Sequence, residues 1–352
     1  QLAEGGKNVS LQFIIGSSGI GKTHYACEQI IRESMENPQH LYYIIVPEQF
    51  TMQTQKNVVE MHPGKGILNI DVLSFQRLAY RIFEETGGAR EVLLDDTGKS
   101  MVLQKLVQQH RKNLPYLGSQ MNKPGYLDEV KSLISEFMQY DIREEELQDM
   151  LGKTGEDSLL HMKMQDVGVL YQAFLQYLEG HYMTGEGVMD ALKKAIPFSD
   201  KLKKSVLLLD GFTGFTPVQM NVIRELLNVC DKVLVTVTMD AEENPLQLGK
   251  PHQLFYMSRK MIHTLSGLTS NLDDPVLLKD ERKGRFGNST SLDFLEKHLF
   301  RYRRSAYEKK QEEICIFAAE SPVKELEETA RRIRRLVREK NLKYGEIAVI
   351  TG

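Results

Sequence analysis

The sequence has few cysteines and no long apolar run. Its three cysteines, Cys27, Cys230 and Cys315, lie far apart and include no C-x-x-C pair. This spacing argues against a disulfide framework and against a zinc or iron–sulfur site within these residues, and it indicates a reducing setting. No apolar run approaches the roughly 18 residues of a membrane-spanning helix, and no secretory signal is recognisable. We therefore expect a cytoplasmic protein without a membrane partner.

No charge of one sign dominates the chain. It carries 45 Lys and Arg against 48 Asp and Glu, for a formal net charge of −3. A global nucleic-acid-binding signature is therefore absent, and any contact with DNA must come from local patches. The 352 residues and the 41% hydrophobic share predict about two or three ordinary globular domains.

The most specific motif is a glycine-rich loop at residues 16–23. Its sequence, G-S-S-G-I-G-K-T, fits the phosphate-binding pattern G-x-x-x-x-G-K-[ST] and consists of Gly16, Ser17, Ser18, Gly19, Ile20, Gly21, Lys22 and Thr23. An apolar run at 11–15 predicts a strand before the loop, and a helix is predicted over 24–34. In this context the backbone N–H groups and the helix dipole can bind a triphosphate. The alternative is a glycine-rich turn that binds nothing.

Two side chains of the loop have defined roles in such a site. Lys22 would reach the β- and γ-phosphates, and Thr23 would hold Mg²⁺. The loop therefore predicts ATP and magnesium as ligands.

The pattern of apolar residues predicts an interrupted α/β fold. Strand-like runs occur at 11–15, 41–46, 67–73, 206–209 and 232–238. The first three alternate with helical stretches, which argues for a parallel sheet of β-α-β units. From about 88 to 200 the strand signal disappears, and helical spacing predicts helices over 97–110, 127–140 and 167–182. We expect a P-loop NTPase with a RecA-like parallel sheet and an inserted all-helical segment.

The last part of the sequence predicts the start of a second α/β domain. A strand is expected at 314–318, then a helix, then a strand at 347–350 that needs neighbours, so we expect a piece of a longer protein. Before it, residues 300–310 alternate aromatic and basic side chains. Such a stretch is typical either of contact with a phosphate backbone and bases or of a solvated linker.

A carboxylate follows the fourth predicted strand. Asp210 ends the run at 206–209 and is placed to hold Mg²⁺ through water, although a simple strand-end turn is the alternative. The next residue is Gly211, where a phosphate-loop ATPase often has the glutamate that activates the attacking water. We therefore expect nucleotide binding with slow hydrolysis or none, and we assign no catalytic residue.

Residues 210–219, D-G-F-T-G-F-T-P-V-Q, resemble the D-E-F-Q-D-T-x-x-x-Q motif of superfamily 1 DNA helicases. Gly211, Thr213 and Gly214 replace its glutamate, glutamine and aspartate. The segments V-P-E-Q-F-T at 46–51 and L-S-F-Q-R-L-A-Y at 73–80 follow in helicase order. Together with the glycine-rich loop, these motifs resemble the AddB family, the B subunits of AddAB-type helicase–nucleases, over residues 9–352.

This resemblance implies a domain plan and a function. Residues 1–8 would be a disordered leader, 9–87 and 200–295 the helicase-like domain 1A, 88–199 the helical insertion 1B, and 296–352 a linker and the start of domain 2A. The family processes broken DNA ends in double-strand break repair and recombination. Its members pair with an A subunit, the active helicase–nuclease, and scan single-stranded DNA for the Chi hotspot with an inactive motor.

The resemblance also implies what lies elsewhere. The nuclease domain and the cysteine-ligated iron–sulfur cluster belong to a distant C-terminal region, so this piece alone is not expected to cleave or unwind DNA. Single-stranded DNA and duplex ends would be its substrates within the complex. The alternatives are an active, UvrD-like superfamily 1 motor and a P-loop phosphotransferase acting on a small molecule.

The positions carried over for DNA contact follow the carboxyl ends of three predicted strands. They are Gln49, Thr51, Phe75, Arg77, Tyr80 and Phe212. Gln and Arg side chains can hydrogen-bond base edges, and aromatic rings can stack on unpaired bases. Open α/β sheets place their ligands at this edge. The alternative for Phe75 and Phe212 is a place in the core, and for Arg77 a surface cation on a helix.

Overall fold

The structure is a computed structural model that describes residues 9–88, 91–120, 123, 125–155, 158–279, 285–301 and 305–351. The chain divides into two compact units, one ending at residue 285 and one beginning at residue 286. The leader expected at residues 1–8 lies outside the described residues.

The first unit contains a sheet, its covering helices and a helical cluster. Its main elements are, in chain order, β1 (Ser10–Gly16), α1 (Lys22–Glu36), β2 (Leu41–Ile45), α2 (Thr51–Met61), β3 (Ile70–Leu73), α3 (Phe75–Thr86), β4 (Val92–Leu94), α4 (Asp96–His110), α5 (Leu117–Gln120), α6 (Tyr126–Gln139), α7 (Glu144–Gly152), α8 (Leu159–Leu178), β5 (Tyr182–Thr184), α9 (Gly187–Ala195), β6 (Ser205–Leu209), α10 (Pro217–Val229), β7 (Lys232–Thr238), α11 (Tyr256–Ser266) and β8 (Val276–Leu277).

Six parallel strands form the main sheet in the order β3-β2-β6-β7-β1-β8. The predicted α/β class and parallel sheet are confirmed. Ile45 pairs in register with Leu73 on one side and with Leu209 on the other. The segments that follow β2, β3 and β6 therefore all leave the sheet at the same end, where the carboxyl ends of these parallel strands lie.

Both faces of this sheet are buried, which explains the continuous apolar runs. On one face, alternate residues such as Tyr43 and Ile45 pack with α3, α9, α10 and α11. On the other face, Tyr42 and Ile44 pack with α1 and α2. Because side chains alternate along a strand, a single apolar run serves two cores.

The segment between β3 and β6 is mainly helical, with a second core built by α4, α6, α7 and α8. Two details differ from expectation. Strands β4 and β5 pair in parallel, and at three residues each they are too short to show a strand pattern. Helix α8 begins earlier and ends earlier than the predicted 167–182. Helix α9 packs against α3 and α10 of the first core.

The second unit contains α12 (Thr290–His298) and α13 (Pro322–Glu339). In the described part of this unit, the strands expected at 314–318 and 347–350 are absent, so those two predictions are wrong for this structure. Ile316 and Ile350 are each 94% exposed. A strand forms only where a neighbour accepts its backbone hydrogen bonds, and neither segment has one here.

The basic stretch at 300–310 lies only partly within the described residues. Tyr302, Arg303 and Arg304 fall outside them. The Tyr307 ring packs on Phe294, with ring centres 5.2 Å apart, and its hydroxyl lies 2.6 Å from Thr290 Oγ1. The Tyr307 ring therefore takes part in packing within the second unit. Across the described ranges, no helix combines the length and apolar content needed to cross a bilayer.

Candidate functional site: a phosphate-loop cavity beside a polar sheet edge

The glycine-rich loop connects β1 to α1 as the sequence predicts. Gly21 is the N-cap of α1 and has φ of 100°, a left-handed conformation that favours glycine. A glycine cannot cap the helix with a side chain, so the first turn of α1 is available to an anionic group. The Lys22 ammonium donates to the Ser17 carbonyl at 2.9 Å, which holds it over the loop.

Thr23 and Asp210 meet across the loop although 187 residues separate them in sequence. The Thr23 hydroxyl lies 3.0 Å from each oxygen of the Asp210 carboxylate. Asp210 is 5% exposed. Its backbone N–H donates to the Ile45 carbonyl on the neighbouring strand, which fixes Asp210 at the carboxyl end of the sheet. Hydroxyl and carboxylate oxygens are the ligand types that Mg²⁺ takes, so this pair fits a magnesium site.

Thr236 is a partner of Asp210 that the sequence did not single out. Its hydroxyl donates to Asp210 Oδ1 at 2.6 Å and accepts from the Gly211 N–H at 3.4 Å. It lies on β7, next to β6. The only available signal was a polar residue inside the apolar run of that strand.

Gly211 does not continue the strand that precedes it. Its φ is 77°, in the left-handed region, and a Cβ built on it would meet nothing closer than Pro47 Cδ at 3.7 Å. The position therefore has room for a side chain but a backbone conformation that side-chain-bearing residues rarely adopt.

A cavity of about 690 Å³ opens over the loop. It is lined by Lys22, Thr23 and Asp210, with Cys27, Phe212 and Arg285 among the other residues. Its size lies within the roughly 300–1,000 Å³ of small-molecule sites. Burial, and secondly the charge of Asp210, raise the pKa of the Cys27 thiol to about 12, so this wall of the cavity stays an uncharged thiol.

The strand-end positions separate into exposed and buried groups. Gln49 lies exposed in a short 3₁₀ turn (Glu48–Phe50) after β2. Arg77, in the first turn of α3, forms an ion pair with Glu48 at 3.2 Å, and both side chains are about half exposed. Glu48 belongs to the V-P-E-Q-F-T motif but was not predicted as a site residue. The pair links the ends of β2 and β3.

Of the other positions, Thr51 and Phe75 are buried, whereas Tyr80 is exposed. Thr51 is 3% exposed, and its hydroxyl donates to the Glu48 carbonyl at 2.9 Å. Phe75 is 5% exposed and packs on Phe212, with ring centres 5.6 Å apart. Tyr80 is 38% exposed and packs edge-on against a neighbouring ring.

The Phe212 ring is shared by two features of the molecule. It lines the cavity over the phosphate loop and also packs against Phe75 and Phe215 in the core. The exposed side chains at the carboxyl end of the sheet are therefore those of Gln49, Arg77 and Tyr80. The side chains of Thr51 and Phe75 are buried beneath this surface. Among the described residues, no three His, Cys, Asp or Glu side chains gather as metal ligands.

The family model and the curated relatives that match this chain agree on one protein family. A family model described as ADDB, N-terminal, matches residues 13–296. A protein from Lachnoclostridium phytofermentans, named as the B subunit of an ATP-dependent helicase/deoxyribonuclease, is 42% identical over 351 residues, which are 98% of this chain and 30% of the relative. Proteins of the same name from Clostridium acetobutylicum and Thermoanaerobacter sp. are each 32% identical, over 98% and 97% of this chain and 30% of each relative. The chain spans about a third of the length of these curated relatives.

Proposed function

Because this chain belongs to the AddB N-terminal family, we propose that it is the N-terminal, helicase-like part of the B subunit of an ATP-dependent helicase–exonuclease. It binds ATP with Mg²⁺ and single-stranded DNA, and in double-strand break repair it scans that strand for the Chi hotspot. The partner is the A subunit, the active helicase–nuclease. The domain limits remain as predicted from the sequence, with 1A at 9–87 and 200–295, 1B at 88–199, and 2A beginning within 296–352.

The observation that carries this proposal is the combination at the end of β6. Asp210 meets Thr23 of the phosphate loop at 3.0 Å, as a magnesium–nucleotide site requires, and the next residue is a glycine in a left-handed conformation. The loop and the first turn of α1 would hold the phosphates, Lys22 would neutralise their charge, and Thr23 with Asp210 would hold Mg²⁺. The bound ion would neutralise phosphate charge. No glutamate follows Asp210 to orient an attacking water.

The test of the proposal is ATP turnover by the protein with and without single-stranded DNA. We expect ATP binding with little or no hydrolysis and no stimulation by DNA. DNA-stimulated hydrolysis at roughly tens of turnovers per second would instead identify an active superfamily 1 motor. Hydrolysis that depends on an added small-molecule acceptor would identify a phosphotransferase.

A second prediction concerns the exposed strand-end residues. In the full complex, Arg77→Ala or Gln49→Ala is expected to weaken recognition of the hotspot sequence about fivefold, because each side chain can hydrogen-bond a base edge. Unwinding, which depends on the partner's motor, should keep its rate. Hotspot-dependent product formation and unwinding are measured on the same DNA. The control is Arg81→Ala, another exposed arginine of α3, and unchanged recognition by both site variants would remove these residues from the DNA surface.

A further inference from the structure

The helical part of the first unit contains a groove that the nucleotide and DNA sites do not use. Three hollows of about 960, 280 and 750 Å³ all border Gln172 on α8. Together they border residues from His161 on α8 to Glu179 just after it, a length of roughly 27 Å at 1.5 Å per residue. We call this surface the α8 groove.

The α8 groove is acidic. Its walls include Glu144 at the start of α7, Glu179 just after α8 and Asp190 on α9. None of these three forms an ion pair with a cation in the described ranges, although Lys194 and Arg143 also line the groove, and Arg143 lies 4.0 Å from Asp141. Asp141 and Asp190 line the same hollow. Burial, and secondly the charge of Asp141, raise the pKa of Asp190, although the charges of Lys193 and Lys194 lower it in part.

One further carboxylate of the groove is already neutralised. Glu186 accepts from the Lys99 ammonium at 3.0 Å, and both side chains are nearly buried. Burial raises the pKa of Glu186, but the hydrogen bond and charge of Lys99, together with a backbone hydrogen bond and one from Thr184, outweigh burial, and the pKa is lowered. The protein thus satisfies the acid beneath the groove, while the acids on its walls face solvent.

Apolar side chains are exposed in the same groove. Leu175 of α8 is 38% exposed, and Phe198, after α9, is 75% exposed. Exposed apolar groups within a concave surface with a polar rim are typical of protein–protein contact. A nucleic acid would bring its phosphates next to the wall carboxylates, so like charges would oppose its binding.

We propose that the α8 groove receives a segment of the partner A subunit that carries lysine or arginine side chains beside an apolar anchor. The anchor contacts Leu175 and Phe198, and the basic side chains pair with Glu179 and Asp190. This inference rests on the proposed function, because the occupant is the other member of the heterodimer. The groove forms one part of the larger interface that a stable complex requires.

The experiment uses the full-length B subunit and its A subunit, and measures the dissociation constant of the heterodimer at two salt concentrations. The variant Glu179→Lys/Asp190→Lys reverses two exposed charges and is expected to raise the dissociation constant at least tenfold, mainly at low salt. The matched control, Glu129→Lys/Glu136→Lys, makes the same charge change at exposed positions of α6 outside the groove. It should change the constant less than twofold.

Three results would overturn the inference. If the wild-type heterodimer forms and the groove variant binds as tightly as the control, the groove has another role and the proposed function stands. If the groove variant leaves the heterodimer unchanged but binds duplex DNA more tightly than the control does, the groove faces DNA. If the two wild-type proteins do not associate, the proposed partner and this inference fail together. Circular dichroism of each variant checks that the fold is retained.

Discussion

Replacing Lys22 with alanine is expected to abolish ATP binding while the fold stays intact. The ammonium lies over the phosphate loop, bonded to the Ser17 carbonyl at 2.9 Å, and it would contact two phosphates of the bound nucleotide. Hydrogen bonds to charged groups contribute about 1.5–3 kcal/mol each, so the loss should exceed about a hundredfold in affinity. Alanine is a good helix former at the start of α1, so the loop and helix should keep their structure.

Isothermal titration calorimetry with ATP and Mg²⁺ measures this effect. The control is Lys112→Ala, which removes an exposed lysine in the helical part of the same unit. It should bind ATP like the wild type. An unchanged affinity for Lys22→Ala would mean that the loop is not the nucleotide site, and would also remove the basis for the magnesium pair Thr23 and Asp210.

Placing a glutamate at position 211 is expected to destabilise the protein without restoring a motor. A residue with a Cβ in a left-handed conformation costs roughly 1–2 kcal/mol, and we expect a loss of about 2 kcal/mol for Gly211→Glu. The strain is in the backbone, because the nearest atom to a Cβ at this position is 3.7 Å away. At φ of 77° the side chain leaves the chain in another direction than it would from an extended strand end.

Chemical denaturation and ATP turnover test the two parts of this prediction. Gly211→Asn is the matched control for strain, because asparagine enters the left-handed region more readily and should lose less stability. Thr213→Glu adds the same charge at a nearby exposed position. DNA-stimulated hydrolysis by Gly211→Glu at unchanged stability would show that only a side chain separates this protein from an active motor.

Local patterns in the sequence were sufficient for most of the sheet and the loop. The strands at 10–16, 41–45, 205–209 and 232–238 are rich in apolar residues and have both faces buried. A strand buried on both faces requires apolar side chains along its length, so it can be recognised from the sequence. The glycine-rich loop could also be recognised from the sequence, because few residues other than glycine adopt its backbone conformation. The short strands β4 and β5 carry too few residues for a pattern.

The failures at the end of the chain have a different cause. The apolar runs at 314–318 and 347–350 indicate a capacity to form strands, but a strand also needs a neighbour, and the described residues provide none. In the same way, the sequence identified Phe75 and Phe212 as candidates either for DNA contact or for the core. It could not show that Phe75 is only 5% exposed and packs against the Phe212 ring. Burial depends on what packs above a residue.

Residue types at short spacing were therefore enough to predict the α/β class, the glycine-rich loop between β1 and α1, and the family. The folded chain was needed to show that Thr23 meets Asp210, that Arg77 pairs with Glu48, and that an acidic groove follows α8. Each of these contacts joins residues that are distant in the chain, and their proximity comes from strand order and helix packing. The left-handed backbone of Gly211 belongs to the same group, because the path between β6 and α10 imposes it.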